Sequence, residues 1–66
     1  MIYRHIRSLR EDCNATQKQI ADYLNVAQNT YSQYETGKIE LVASVLVKLA
    51  DYYDVSVDYL LDRIDN

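Results

Sequence analysis

The sequence predicts an all-α chain of five short helices, and three observations lead there. It has no Pro, no Phe, no Trp and a single Gly, which speaks against a turn-rich β fold. Its apolar residues recur three and four apart in successive short blocks, the period of a helix packed on one side. Between the blocks stand Thr, Asn, Ser and the one Gly, residue types that start and stop helices.

Ile2, Ile6, Leu9 and Cys13 form the first apolar stripe, which predicts a helix over residues 2 to about 13. Arg4, Arg7 and Arg10 lie off that stripe. Asn14 and Ala15 make the exit. Thr16, with Gln19 three residues on, matches a capping box, in which each side chain satisfies a free amide of the other residue. Ile20, Ala21 and Leu24 give the second helix its inner face, with Ala21 small where a third helix crosses. Asn25 tolerates the left-handed backbone that a tight turn between helices needs, and Val26 fills the corner.

The third helix is expected from about Gln28 to Thr36. At about 100° per residue, Gln28, Asn29, Ser32, Gln33 and Thr36 span an arc of roughly 140°, with Tyr31 and Tyr34 on the other side. Gly37, the only glycine, follows directly as a stop. Residues 38–43 read as a loop. Val42, Val45, Leu46, Leu49, Ala50 and Tyr53 share one helical face, so a fourth helix starts between Val42 and Ser44 and runs to about Tyr53. Ser56 caps a short fifth helix, with Asp58 near its positive end. Leu60, Leu61 and Ile64 close the core. Tyr3, Tyr23, Tyr52 and Tyr59 are expected to be part-buried.

Sixty-six residues make one domain, residues 1–66, which buries only about 60% of the surface its unfolded chain exposes. One cysteine, Cys13, allows no internal disulfide and fits a reducing cytoplasm. No apolar run approaches the ~18 residues of a membrane span, and no signal peptide is visible. His5 and Cys13 make no metal site, and nothing combines a nucleophile with a base and an orienting partner, so no enzyme, cofactor or small-molecule ligand is expected. The net charge is -3. Residues 1–50 carry six basic groups against five acidic ones, while residues 51–66 carry one against five. The acid therefore collects in the last quarter.

Residues 16–38, TQKQIADYLNVAQNTYSQYETGK, thus read as two crossed helices joined by a three-residue turn. The second has a packed back and an outer face of amides and hydroxyls. Such a face suits the edges of base pairs, which makes this a DNA-binding helix-turn-helix over about residues 17–36. A merely solvated face would more commonly carry Lys and Glu.

The chain resembles the Cro/C1-type (XRE) family of phage repressors and bacterial regulators. The resemblance runs from Ile6-Arg7-Ser8-Leu9-Arg10 through Thr16-Gln17, Ile20-Ala21 and Tyr34-Glu35-Thr36-Gly37-Lys38. It continues into Leu46, Leu49-Ala50 and Val55-Ser56-Val57-Asp58-Tyr59-Leu60-Leu61. It implies a five-helix lambda-repressor-like DNA-binding domain with the helix-turn-helix in helices 2 and 3. By the same resemblance Gln17 meets phosphate, Gln28 and Asn29 read bases, and Ser32 and Gln33 read neighbouring bases or touch the backbone. Thr36 and Lys38 match phosphate contacts, and Arg10 with Glu35 a structural ion pair. Asn25 stands where the family has a turn glycine, Ala27 where a capping residue is common, and Ile39 where a basic residue is frequent.

The expected function is a sequence-specific transcriptional regulator, a repressor, acting in the cytoplasm. It would bind a near-palindromic double-stranded operator as a homodimer, with no membrane partner; the resemblance implies a dimer contact at residues 55–61 and the neighbouring loop. The alternative is a protein-interaction module such as an antitoxin on the same fold. The net acidity and the aliphatic run Ile39, Leu41 and Val42 motivate it.

Overall fold

Residues 3–61 are described by the computed structural model, and helix boundaries within them are set by their caps. The helices are α1 (Arg4–Asp12), α2 (Gln17–Leu24), α3 (Gln28–Thr36), α4 (Ala43–Tyr53) and α5 (Val57–Leu60). No strand occurs among the described residues. The five-helix, all-α expectation holds.

Four helices end by one device, a left-handed residue followed by a backbone bond that reaches back five residues. Asn14, Asn25, Gly37 and Asp54 take φ of 57°, 61°, 79° and 56°. The N–H groups of Ala15, Val26, Lys38 and Val55 then donate to the carbonyls of Arg10, Ala21, Gln33 and Ala50 at 3.0–3.1 Å. Starts are less uniform. Thr16 Oγ1 accepts from the Gln19 N–H at 3.1 Å, and Gln19 Oε1 accepts from the Thr16 N–H at 2.8 Å, completing the capping box. Ser56 Oγ accepts from the Tyr59 N–H at 3.0 Å. Ala27 and Val42 supply no side-chain cap.

The core lies where these helices cross. Ile6 from α1, Ile20 and Leu24 from α2, Tyr31 from α3, Leu49 from α4 and Leu60 from α5 meet there. α2 packs across α3 and against α4, while α5 closes against α1 and α4. An aromatic clamp, not foreseen from sequence, holds α1 to α5. The His5 and Tyr59 rings stack with centroids 4.1 Å apart and planes 1° from parallel. His5 Nδ1 lies 2.7 Å from the Tyr59 carbonyl, so Nδ1 carries the proton and donates.

Several expectations need correction. Cys13 is exposed rather than on the inner stripe, because α1 ends at Asp12 and the chain turns through Asn14. Val42 is 55% exposed, because it precedes α4 in extended backbone (φ -83°, ψ 158°) and so leaves the helical phase. Tyr23 and Tyr52 are exposed, pairing with centroids 4.7 Å apart, and the Tyr23 hydroxyl donates to the Lys48 carbonyl at 3.3 Å. Ile2 and Ile64, both assigned to the core, lie outside the described residues.

The left-handed positions can be told apart by substitution. Gly37→Ala forces a Cβ into that region and should lower stability by about 1–2 kcal/mol. Asp54→Gly relieves the same crowding and removes a negative charge at a helix C-terminus, so it should be neutral or stabilising. Urea midpoints measure both, and equal losses would contradict the assignment.

Candidate nucleic-acid interface

Asn25 turns the chain so that α3 lies across α2, and Ala21, buried between them, lets the backbones approach. The inner side of α3 is held by Tyr31 and Tyr34, whose rings meet edge to face at 6.4 Å. On its outer side Gln28, Asn29 and Thr36 are exposed, and Ser32 and Gln33 are half-buried. The side chains of Gln28, Asn29, Ser32 and Gln33 bond to no other described residue, so their donors and acceptors face outward unengaged. Nine residues of helix are about 13 Å long, and a B-DNA major groove is about 12 Å wide.

The end of α3 is tightly finished. The Gln33 carbonyl accepts the Lys38 N–H at 3.0 Å and the Thr36 hydroxyl at 3.4 Å. Thr36 would have to give up that bond to donate its proton to a phosphate. Lys38 is exposed and forms no ion pair with another described residue. Two other exposed cations are already paired. Lys18 pairs with Asp22 at 3.3 Å and Arg7 with Glu11 at 3.1 Å, both along one helix and both exposed.

Glu35 sits at the edge of the polar face, yet only 4% of its side chain is exposed. Its carboxylate receives four hydrogen bonds from three helices. Oε2 accepts from Arg10 Nε and from the Tyr31 hydroxyl, each at 2.6 Å. Oε1 accepts from Gln17 Nε2 at 3.1 Å and Arg10 Nη2 at 3.3 Å. Arg10 Nη1 also donates to the Ala15 carbonyl at 3.0 Å, fastening the turn into α2. Burial alone would push the Glu35 carboxyl up. The bonds from Arg10, Tyr31 and Gln17 outweigh it and hold the group below the usual carboxylate range. The hydrogen bond to Glu35 raises Arg10, and burial followed by that same carboxylate raises the Tyr31 hydroxyl.

Gln17 is therefore engaged inside the chain as well as placed at the start of α2. One hydrogen of its amide serves Glu35 and the other remains. Sequence reasoning missed this bond and took Tyr31 for plain core. The signal available was the spacing: Tyr31 and Glu35 are four apart, hence on one side of α3.

Residues 6–60 match the helix-turn-helix family. The chain is 36% identical over its full length to an uncharacterised HTH-type transcriptional regulator, YobD of Bacillus subtilis, covering 59% of that protein. It is 35% identical to the HTH-type transcriptional regulator ImmR of the same organism, over 91% of this chain and 47% of that one. With the cryptic phage CTXphi transcriptional repressor RstR of Vibrio cholerae the identity is 34%, over 94% of this chain and 55% of that one. The chain thus spans about half the length of the curated relatives it matches. No solved structure matches it at the same level of significance.

The Glu35 cluster predicts acid sensitivity. A folded pKa held below its unfolded value, near 4.3, contributes stability that is complete above that value and lost as pH falls through the folded one. In urea titrations from pH 7 to pH 3, Glu35→Gln should be much less stable than the parent at pH 7, with the gap closing in acid. A gap that stays constant or widens would contradict this.

Proposed function

The chain belongs to the Cro/C1-type helix-turn-helix family, and from that premise we propose that it binds double-stranded DNA sequence-specifically and regulates transcription as a repressor. The observation that carries this reading is the outer face of α3. Its amides point outward without partners among the described residues, while buried Tyr31 and Tyr34 fix the helix from behind. Gln28 and Asn29 would each pair bidentately with adenine N6 and N7. Ser32 and Gln33 would meet neighbouring base edges or the strand. Gln17, Thr36 and Lys38 would hold phosphates on either side, with the first turn of α2 adding its free amides. Residues 1–66 would act as one such domain, in the cytoplasm and without a catalytic step.

The partner is a near-palindromic operator and the active species a homodimer. A domain of 28 × 23 × 19 Å set beside its copy can place two recognition helices about one helical turn, ~34 Å, apart. Few contacts per domain make the second copy necessary for affinity. A second reading, a protein-interaction module such as an antitoxin, is favoured by the exposure of Ile39, Val42 and Val47 beside a net charge of -3.

A salt titration on duplex DNA separates the two. Gln28→Ala or Asn29→Ala should cost about 1–3 kcal/mol on the selected site and relax base choice there. Lys38→Ala should weaken every sequence alike and reduce the salt slope by about 1. Absence of duplex binding even at low salt would sink the DNA reading and favour the second.

A further inference from the structure

Tyr31 is the largest fully buried side chain among the described residues, and its hydroxyl is committed to a carboxylate that three helices share. Resting on the DNA reading above, we infer that Tyr31 is a positioning residue for phosphate binding, acting through Glu35 on Gln17. The geometry divides the carboxylate between two tasks. Oε2 takes Tyr31 and Arg10 Nε, both at 2.6 Å, so two short bonds fix its direction. Oε1 is thereby turned toward Gln17 Nε2, 3.1 Å away, and toward Arg10 Nη2 at 3.3 Å. Glu35 has only Arg10 to anchor it from α1, and an arginine fork alone permits the carboxylate to swing about the shared axis. Tyr31 removes that freedom from below.

Gln17 opens α2, where the first-turn amides converge on any bound anion. Its side chain is long and would sample many rotamers if unattached. Tied to Glu35, it keeps its second amide hydrogen in one place, and a phosphate oxygen can be met without an ordering cost. The Tyr31 hydroxyl remains a proton donor throughout the physiological range, since burial and the adjacent carboxylate both push its ionisation up. The link therefore stays closed wherever the protein works.

Tyr31→Phe tests this, since it deletes one oxygen and keeps the ring that fills the core. Binding to a selected duplex should weaken about threefold to tenfold, the worth of one hydrogen bond. A double-mutant cycle gives the readout that a merely structural role would not move. Tyr31→Phe combined with Gln17→Ala should bind no worse than Gln17→Ala alone, while Tyr31→Phe and Lys38→Ala should add. The Gln17 side-chain amide supplies a second readout without DNA. Its two proton resonances, distinct in the parent, should move toward free-amide positions in Tyr31→Phe. Additive losses with Gln17→Ala, or an unmoved Gln17 amide, would overturn the positioning role even if duplex binding persists. A parent chain with no affinity for any duplex would overturn the DNA reading and this role together, and the Gln17 amide signals would still report whether Tyr31 orders that side chain.

Discussion

A carboxylate almost wholly removed from water is tolerable only if every lone pair finds a donor, and Glu35 meets that condition through Arg10, Gln17 and Tyr31. The consequences reach well beyond one ion pair. Arg10 comes from the last turn of α1, Gln17 from the first residue of α2 and Tyr31 from the middle of α3. These bonds fix how the three helices meet, and Arg10 adds the Ala15 carbonyl in the turn between the first two. Apolar packing brings the helices together without choosing their rotation about one another. Directional bonds to a buried charge do choose it, and with it the direction in which Gln28 and Asn29 point.

Much of this architecture could be read from the residues because it is written locally. A capping box needs only Thr16 and Gln19, and a left-handed stop needs only Asn25 or Gly37, so spacing and residue type were enough. The outer arc of α3 followed from helical phase alone. Two expectations failed where the chain leaves the helix. Cys13 and Val42 continue the apolar period in sequence, yet each lies just beyond a helix end, where the backbone no longer carries that phase. Asn14, placed at the exit of the first helix, takes the same left-handed stop, and Asp54 takes one that was not singled out. The Gln17–Glu35 bond spans eighteen positions and depends on the crossing of two helices, so no local pattern encodes it. Where the site was concerned, the polar face was legible and the device that steadies its flank was not.

The charge balance shapes what kind of binding this surface supports. Exposed pairs such as Lys18–Asp22 and Arg7–Glu11 contribute little stability and leave little net field. On the proposed reading, a chain at -3 would gain less from counterion release than a basic domain, and discrimination among sequences would come chiefly from base edges. Amides suit that task, since they offer a donor and an acceptor in one plane and carry no charge of their own.

The central claim is that the outer side of α3 enters the groove while the start of α2 rests on the strand. Titrating a selected duplex into the uniformly nitrogen-labelled chain and following backbone and side-chain amides tests it most directly. The account predicts that the largest changes fall on Gln17, on Gln28 through Gln33 and on Thr36 to Lys38, with the outer face of α4 unmoved. Changes centred on Ile39, Val42 and Val47, with the Gln28 and Asn29 amides unperturbed, would contradict it.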